Sequence, residues 1–248
     1  MAYRADMRLV TTADEREAVL ALSTRMDAGL GVPRDMAVHA RIFNPWSRFL
    51  SFDRPLWTEV LGADDPAFAD EDFGSRSLRE LYAAAGPEFE PPMEAGPAPG
   101  VQETLLESLT GLADREHDDS YSLWWLGRGG AEVGSPHDHP VLELDCGIEH
   151  KYEAVRGPAA QLDAFLAPSL DRPVPTIRWF PEWVFAADGS WYLYWDLDLP
   201  WGVLGLTAEK ADRLDPGDLE IVPFRPRAGE VGVRATARWT DAGPGATW

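Results

Sequence analysis

The chain reads as an α+β protein, with a mainly antiparallel sheet in its C-terminal half, helices packed on one side of that sheet, and a helical N-terminal part. Three observations predict this. From Tyr121 onward, short runs rich in aromatic and β-branched residues are divided by Gly, Pro and Asp. Most gaps between these runs are too short for a crossover helix, which favours antiparallel pairing. Before them come capped stretches whose apolar residues recur at helical spacing.

The first helix is expected over Ala13 to Met26. In Thr12-Ala-Asp-Glu15 the threonine oxygen can cap free amides and Glu15 can reach back in a capping box, while Val19, Leu22 and Met26 form the apolar face. Gly29, Gly31 and Pro33 should end it. A second short helix is expected from Asp53, with Pro55 in its first turn and Leu56, Trp57, Val60 and Leu61 as its buried stripe. Between Glu59 and Glu94 stand ten acidic residues against Arg76 and Arg79, and Gly86 to Gly100 holds five prolines and three glycines. That stretch reads as a solvated connection, interrupted by a short helix from Ser77 to Ala85. The expected organisation is therefore a mainly helical part over 1–100 and a sheet domain over 101–242, together forming one compact unit.

After Gly100, Val101, Leu105 and Leu109 share a helical face, and the helix should reach about Ala113. Strands are expected at Tyr121 to Leu126, Val141 to Leu144, Tyr152 to Val155, Thr176 to Ala186, Gly189 to Leu199, Val203 to Leu206, Leu219 to Val222 and Val231 to Ala237. Two helices interrupt them: Pro158 to Leu166, opened by proline, and Thr207 to Leu214, capped by Thr207. Asp188-Gly189 signals a hairpin turn between Trp183-Val-Phe-Ala-Ala187 and the aromatic run that follows. In that run Trp191, Leu193, Trp195, Leu197 and Leu199 alternate with Tyr192, Tyr194, Asp196 and Asp198, so a period of two assigns the sets to opposite faces. The polar set is a possible binding face. The eleven tryptophans read as core, although Trp179, Trp183, Trp191, Trp195 and Trp201 are dense enough to line a groove for a small ligand.

Charge narrows the function. Twenty-two Lys+Arg against 42 Asp+Glu give a formal net charge of -20, and Lys151 and Lys210 are the only lysines. Such an acidic chain repels phosphate polymers and anionic lipid, which argues against nucleic-acid and membrane-surface partners and points to a basic protein as partner. The single cysteine, Cys146, has no partner for an internal disulfide, and the first residues do not read as a signal peptide, so a cytoplasmic location is expected.

The sharpest chemical pattern is Ser135-Pro-His137-Asp-His139-Pro-Val-Leu-Glu143, with Cys146 and His150 nearby. Two imidazoles one residue apart, followed by a carboxylate, can converge on one divalent transition metal. The pattern resembles the first half of the cupin metal motif and implies a metal-dependent enzyme using His137, His139 and Glu143. The flanking glycines stand at other distances, and no second motif is present near Pro200-Trp-Gly202. Asp196 with Asp198, and Glu143 with Asp145, are alternating carboxylate pairs open to acid–base work or to a hard cation. No phosphate-binding glycine loop, dinucleotide fingerprint, nucleophile elbow or Cys-x-x-Cys pair is present, and otherwise no cofactor is expected.

From about His39 to Phe224 the chain resembles an uncharacterised family of actinobacterial proteins. The likeness lies in Ala40-Arg-Ile-Phe-Asn-Pro45, Tyr121-Ser-Leu-Trp-Trp-Leu-Gly127, His150-Lys-Tyr152 with Gly157-Pro158, and Trp179-Phe-Pro181 leading to Trp191 and Asp196-Leu-Asp198. That family has no assigned activity. A fainter resemblance, through Phe185-Ala-Ala-Asp-Gly189 and Val203-Leu-Gly-Leu206, is to the SUKH superfamily of immunity-type proteins. It implies an α+β scaffold that binds toxins or other proteins. The leading expectation is a cytosolic interaction protein for a basic partner, and the alternative is the cupin-like enzyme.

Overall fold

The computed structural model describes residues 7–48, 54–62, 68, 78–90, 92, 96–113, 119–126, 140–145, 149–162, 180–196, 198–227 and 233–240. Twelve strands are described: β1 (Arg8–Leu9), β2 (Val38–Phe43), β3 (Ser47–Arg48), β4 (Phe89–Glu90), β5 (Asp119–Trp125), β6 (Val141–Asp145), β7 (Glu149–Pro158), β8 (Trp183–Ala186), β9 (Trp191–Tyr194), β10 (Trp201–Leu206), β11 (Glu220–Phe224) and β12 (Thr236–Thr240). The helices are α1 (Ala13–Ser23), α2 (Trp57–Leu61), α3 (Leu78–Ala85), α4 (Pro99–Gly111) and α5 (Ala208–Arg213), with a 3-10 turn at Ala159–Gln161.

Ten strands form one sheet in the order β11-β2-β10-β9-β8-β5-β7-β6-β12, with β1 continuing the β6 edge of β7. Every described pairing in it is antiparallel. The antiparallel sheet and the α+β class therefore hold.

The expectation of a helical N-terminal part does not. β2 lies inside the sheet, with Ile42 opposite Gly202 on one side and Ile221 on the other. Its residues alternate: Ala40 and Ile42 face one way, His39, Arg41 and Phe43 the other. The polar pair hid the strand, because charged side chains normally mark solvent. Here Arg41 is 3% exposed, lies over the Phe224 ring at 4.1 Å and donates to the Phe68 carbonyl at 3.2 Å.

Helices cover both faces, where one covered face was expected. Val19 and Leu22 of α1, with Met26, Leu30, Val32 and Met36 of the loop after it, pack on Tyr121, Leu123, Tyr152, Trp183, Phe185 and Tyr192. On the other face, Leu105, Leu106, Leu109 and Leu112 pack with Trp124, Val155, Val184, Trp191, Leu193, Trp195 and Leu204. A third cluster joins Trp57 of α2, Leu81 of α3 and Trp46 to Phe43 and Trp201. The tryptophans Trp183, Trp191, Trp195 and Trp201 are all buried, as expected of core, and Trp179 lies outside the described residues.

The hairpin forms as its turn signal predicts. Trp183 pairs with Tyr194 and Phe185 with Tyr192, Gly189 takes a positive φ of 70°, and its N–H bonds the Ala186 carbonyl at 2.9 Å. β9 stops at Tyr194, short of Leu199. The Asp196 carboxylate captures the Asp198 N–H at 2.8 Å, which turns the chain out of the ladder. Pro158 closes a strand and only a 3-10 turn follows it; residues 163–166 of the expected helix lie outside the described residues. Caps behave as read: Thr12 accepts from the Glu15 N–H and Thr207 from the Lys210 N–H, each at 3.4 Å.

Glu15 takes a different partner from the one its capping box suggests. Its carboxylate binds the guanidiniums of Arg8 and Arg156, and Arg156 reaches on to Asp119 at 2.7 Å. This network ties β1, α1, β5 and β7 together. Hydrogen bonds, led by that from Arg8, hold the Glu15 carboxyl at about 2 against burial that pushes it up. On the other face Glu153 of β7 is 1% exposed, and burial pushes its carboxyl up to about 8.

Candidate functional site

One end of the sheet, where β5 and β9 finish and β7 and β8 begin, gathers aromatic rings and polar side chains. His150 and Tyr152, two residues apart on β7, share a face. Tyr152 stands opposite Trp125 of β5, and Glu182 immediately precedes β8. The Tyr152 hydroxyl donates to Glu182 Oε2 at 3.0 Å, and His150 Nδ1 lies 3.3 Å from that Tyr152 hydroxyl oxygen. An ionised carboxylate only accepts, so the single phenol proton goes to Glu182 and the His150 contact needs its proton on Nδ1.

Rings continue this chain across the sheet. Trp125 stacks on His150 at 4.6 Å, Tyr152 meets Trp183 edge-on at 5.2 Å, and Trp183 stacks on Tyr194 at 4.7 Å. The Tyr194 hydroxyl donates to Asp196 Oδ2 at 2.9 Å. The loop after α1 closes over the ribbon at Gly31, whose carbonyl accepts from Trp183 Nε1 at 2.8 Å. Gly31 has a φ of 72°, and a Cβ there would fall 2.1 Å from the Tyr194 ring, so no other residue fits.

Trp125, His150, Tyr194 and Asp196 are half-buried and Asp198 is exposed, whereas Tyr152 is 1% exposed. Tyr152 and Glu182 therefore position His150 rather than meet a ligand themselves. What the rim presents is π surface beside hydrogen-bond acceptors, a combination suited to guanidinium or ammonium groups.

The structure brings only part of the expected binding face together. Tyr194, Asp196 and Asp198 form one connected turn. Asp196 and Asp198 do not alternate along a strand as expected, because β9 has already ended. Tyr192 is 0% exposed, stacked on Phe185 at 5.5 Å, with its hydroxyl 3.4 Å from Arg25 Nη1. Burial pushes its phenol up to about 12. It is core and not binding face, since α1 and the following loop cover the side that the alternation left to solvent.

Glu143, on β6, is engaged by Arg238 Nε at 2.5 Å, Thr240 Oγ1 at 3.3 Å and Lys151 Nζ at 3.4 Å. Burial pushes its carboxyl up, but the hydrogen bonds from Arg238 and Lys151 outweigh this and hold it below the ordinary range. His137, His139 and Cys146 lie outside the described residues. Among the described residues no three His, Cys, Asp or Glu side chains are grouped to hold a metal ion, and no helix is long and apolar enough to cross a membrane.

Sequence reasoning missed Glu182, Tyr152 and Trp125 as site residues. His150-Lys-Tyr152 was a visible i, i+2 pair, but Glu182 joins it only through strand register. Comparison with family models, curated proteins and solved structures finds no match to this chain.

Proposed function

We propose that this chain is a cytosolic interaction protein that binds a basic partner, and that the aromatic and acidic end of the sheet is its contact. The carrying observation is the turn in which Tyr194, Asp196 and Asp198 are hydrogen-bonded together, at the same end of the sheet as half-buried Trp125, on a chain of net charge -20. Long-range attraction brings the partner in, and the rim then engages its arginine or lysine side chains. The likeness to SUKH immunity-type proteins supports a narrower form, in which the partner is a toxin held inactive. The metal-dependent alternative gains little from Glu143, whose carboxylate is committed to Arg238 and Lys151.

The test uses an arginine-rich peptide carrying a fluorophore, titrated by anisotropy. The double substitution Asp196→Asn and Asp198→Asn should weaken binding about tenfold, and raising salt from about 50 to about 500 mM should weaken it further. Glu103→Gln with Glu107→Gln removes the same charge from the exposed side of α4 and should cost about twofold. Equal losses in the two double variants would assign binding to the overall field and remove the site. Binding indifferent to salt would sink the reading.

A further inference from the structure

Trp183 lies between two tyrosines that are each hydrogen-bonded to a carboxylate. Tyr194 stacks on its ring at 4.7 Å, and Tyr152 meets it edge-on at 5.2 Å. The Tyr194 hydroxyl donates to Asp196 Oδ2 at 2.9 Å and the Tyr152 hydroxyl to Glu182 Oε2 at 3.0 Å. The indole N–H of Trp183 instead donates to the Gly31 carbonyl at 2.8 Å. The three rings therefore differ in what stands ready to take a proton. A phenol bonded to a carboxylate can release its proton as it loses an electron, whereas a neutral carbonyl is too weak a base to accept one from the indole. Exposure differs as well: Trp183 is 2% exposed and Tyr152 1%, but Tyr194 is half-buried at the rim.

We infer that Trp183 and Tyr194 form a discharge path, by which an oxidising equivalent lodged in the aromatic core is carried to the surface. A one-electron oxidant takes an electron from Trp183, and the indole radical cation keeps the proton that it shares with the Gly31 carbonyl. Tyr194 then gives an electron to the stacked indole and its phenolic proton to Asp196 Oδ2, which restores Trp183 and leaves a neutral phenoxyl. A soluble reductant of the enediol class, such as ascorbate, returns one electron at the rim while Asp196 returns the proton. Tyr152 can be oxidised in the same way against Glu182, but it is sealed from solvent, so a hole held there drains back through Trp183. The path lies wholly within this chain and needs no partner.

Flash photolysis of the full chain tests this. Light absorbed by tryptophan ejects an electron to a soluble acceptor such as ferricyanide, and transient absorption then follows tryptophanyl decay and tyrosyl growth. In the parent chain tyrosyl should grow as tryptophanyl decays, and ascorbate should shorten its life. Tyr194→Phe, which keeps a ring against Trp183 and Gly31, should remove most of that growth. Asp196→Asn keeps an oxygen for the Asp198 N–H but not the base for the phenol, and should slow the growth by about tenfold. Tyr152→Phe, and Tyr121→Phe at a ring that packs on Phe185, should leave most of it in place. Growth that survives Tyr194→Phe, that is lost equally in Tyr152→Phe or Tyr121→Phe, or that is indifferent to Asp196→Asn would each overturn the inference, as would a tyrosyl that ascorbate does not quench.

Discussion

Glu15 and Glu153 are both buried glutamates, 6% and 1% exposed, on opposite faces of one sheet. On the α1 face, Glu15 meets two guanidiniums and its carboxyl falls to about 2. On the α4 face, burial dominates at Glu153 and its carboxyl rises to about 8. The same side chain is thus a charged tie in one place and a neutral acid in the other. The difference shows that surroundings, not burial alone, set what a buried carboxylate contributes.

Substitution at Glu15 should break the comparison most strongly. Glu15→Ala leaves Arg8 and Arg156 facing each other without the carboxylate between them, and should cost about 3 kcal/mol in urea unfolding at neutral pH. The tie depends on pH in a definite direction. Its folded value lies below the ordinary 4.5, so the stability it gives is present above about pH 4.5 and lost as pH falls toward about 2. The cost of Glu15→Ala should therefore shrink in acid; an unchanged cost at about pH 3 would mean that packing, not charge, carries the effect.

Glu153 should respond with the opposite sign. Its folded value is raised from 4.5 to about 8, so the stability linked to the neutral acid is present below about pH 4.5 and lost as pH rises through about 8. Glu153→Gln, which cannot ionise, should be about 2 kcal/mol more stable than the parent chain at pH 8 and equal to it at pH 4, read from thermal melts. A variant that is less stable at both values would show that the carboxylate is structurally required. The smallest effect is expected at Tyr152→Phe, which removes the hydroxyl joining His150 to Glu182 and should cost about 1 kcal/mol. NMR of the His150 ring would register the loss as a changed tautomer balance; an unchanged ring signature would dissolve the relay.

Local signals in the sequence were reliable where one residue type answers one local need. Thr12 and Thr207 cap helices, Asp188-Gly189 turns a hairpin, and the indoles of Trp183, Trp191 and Trp195 fill the interior. Patterns failed where a distant segment altered the meaning of a residue. Arg41 and His39 carry polar groups that give no strand signal of their own, and they are buried by Phe224, which is distant in the chain but lies on the neighbouring strand and packs against both. Tyr192 looked exposed because nothing in its own run announces the loop that covers it. The candidate site was half legible for the same reason: Tyr194, Asp196 and Asp198 are neighbours in the chain, whereas Tyr152 and Glu182 meet only once β5 has aligned β7 with β8.

The placement of β2 between β10 and β11 has a consequence for biosynthesis. As the chain leaves the ribosome, Val38–Phe43 emerges with both hydrogen-bonding rims vacant, and the strands that occupy them, Trp201–Leu206 and Glu220–Phe224, are made only after β3 to β9. Acquisition of the native state must wait for those late arrivals, and such a high contact order slows folding and prolongs exposure to chaperones.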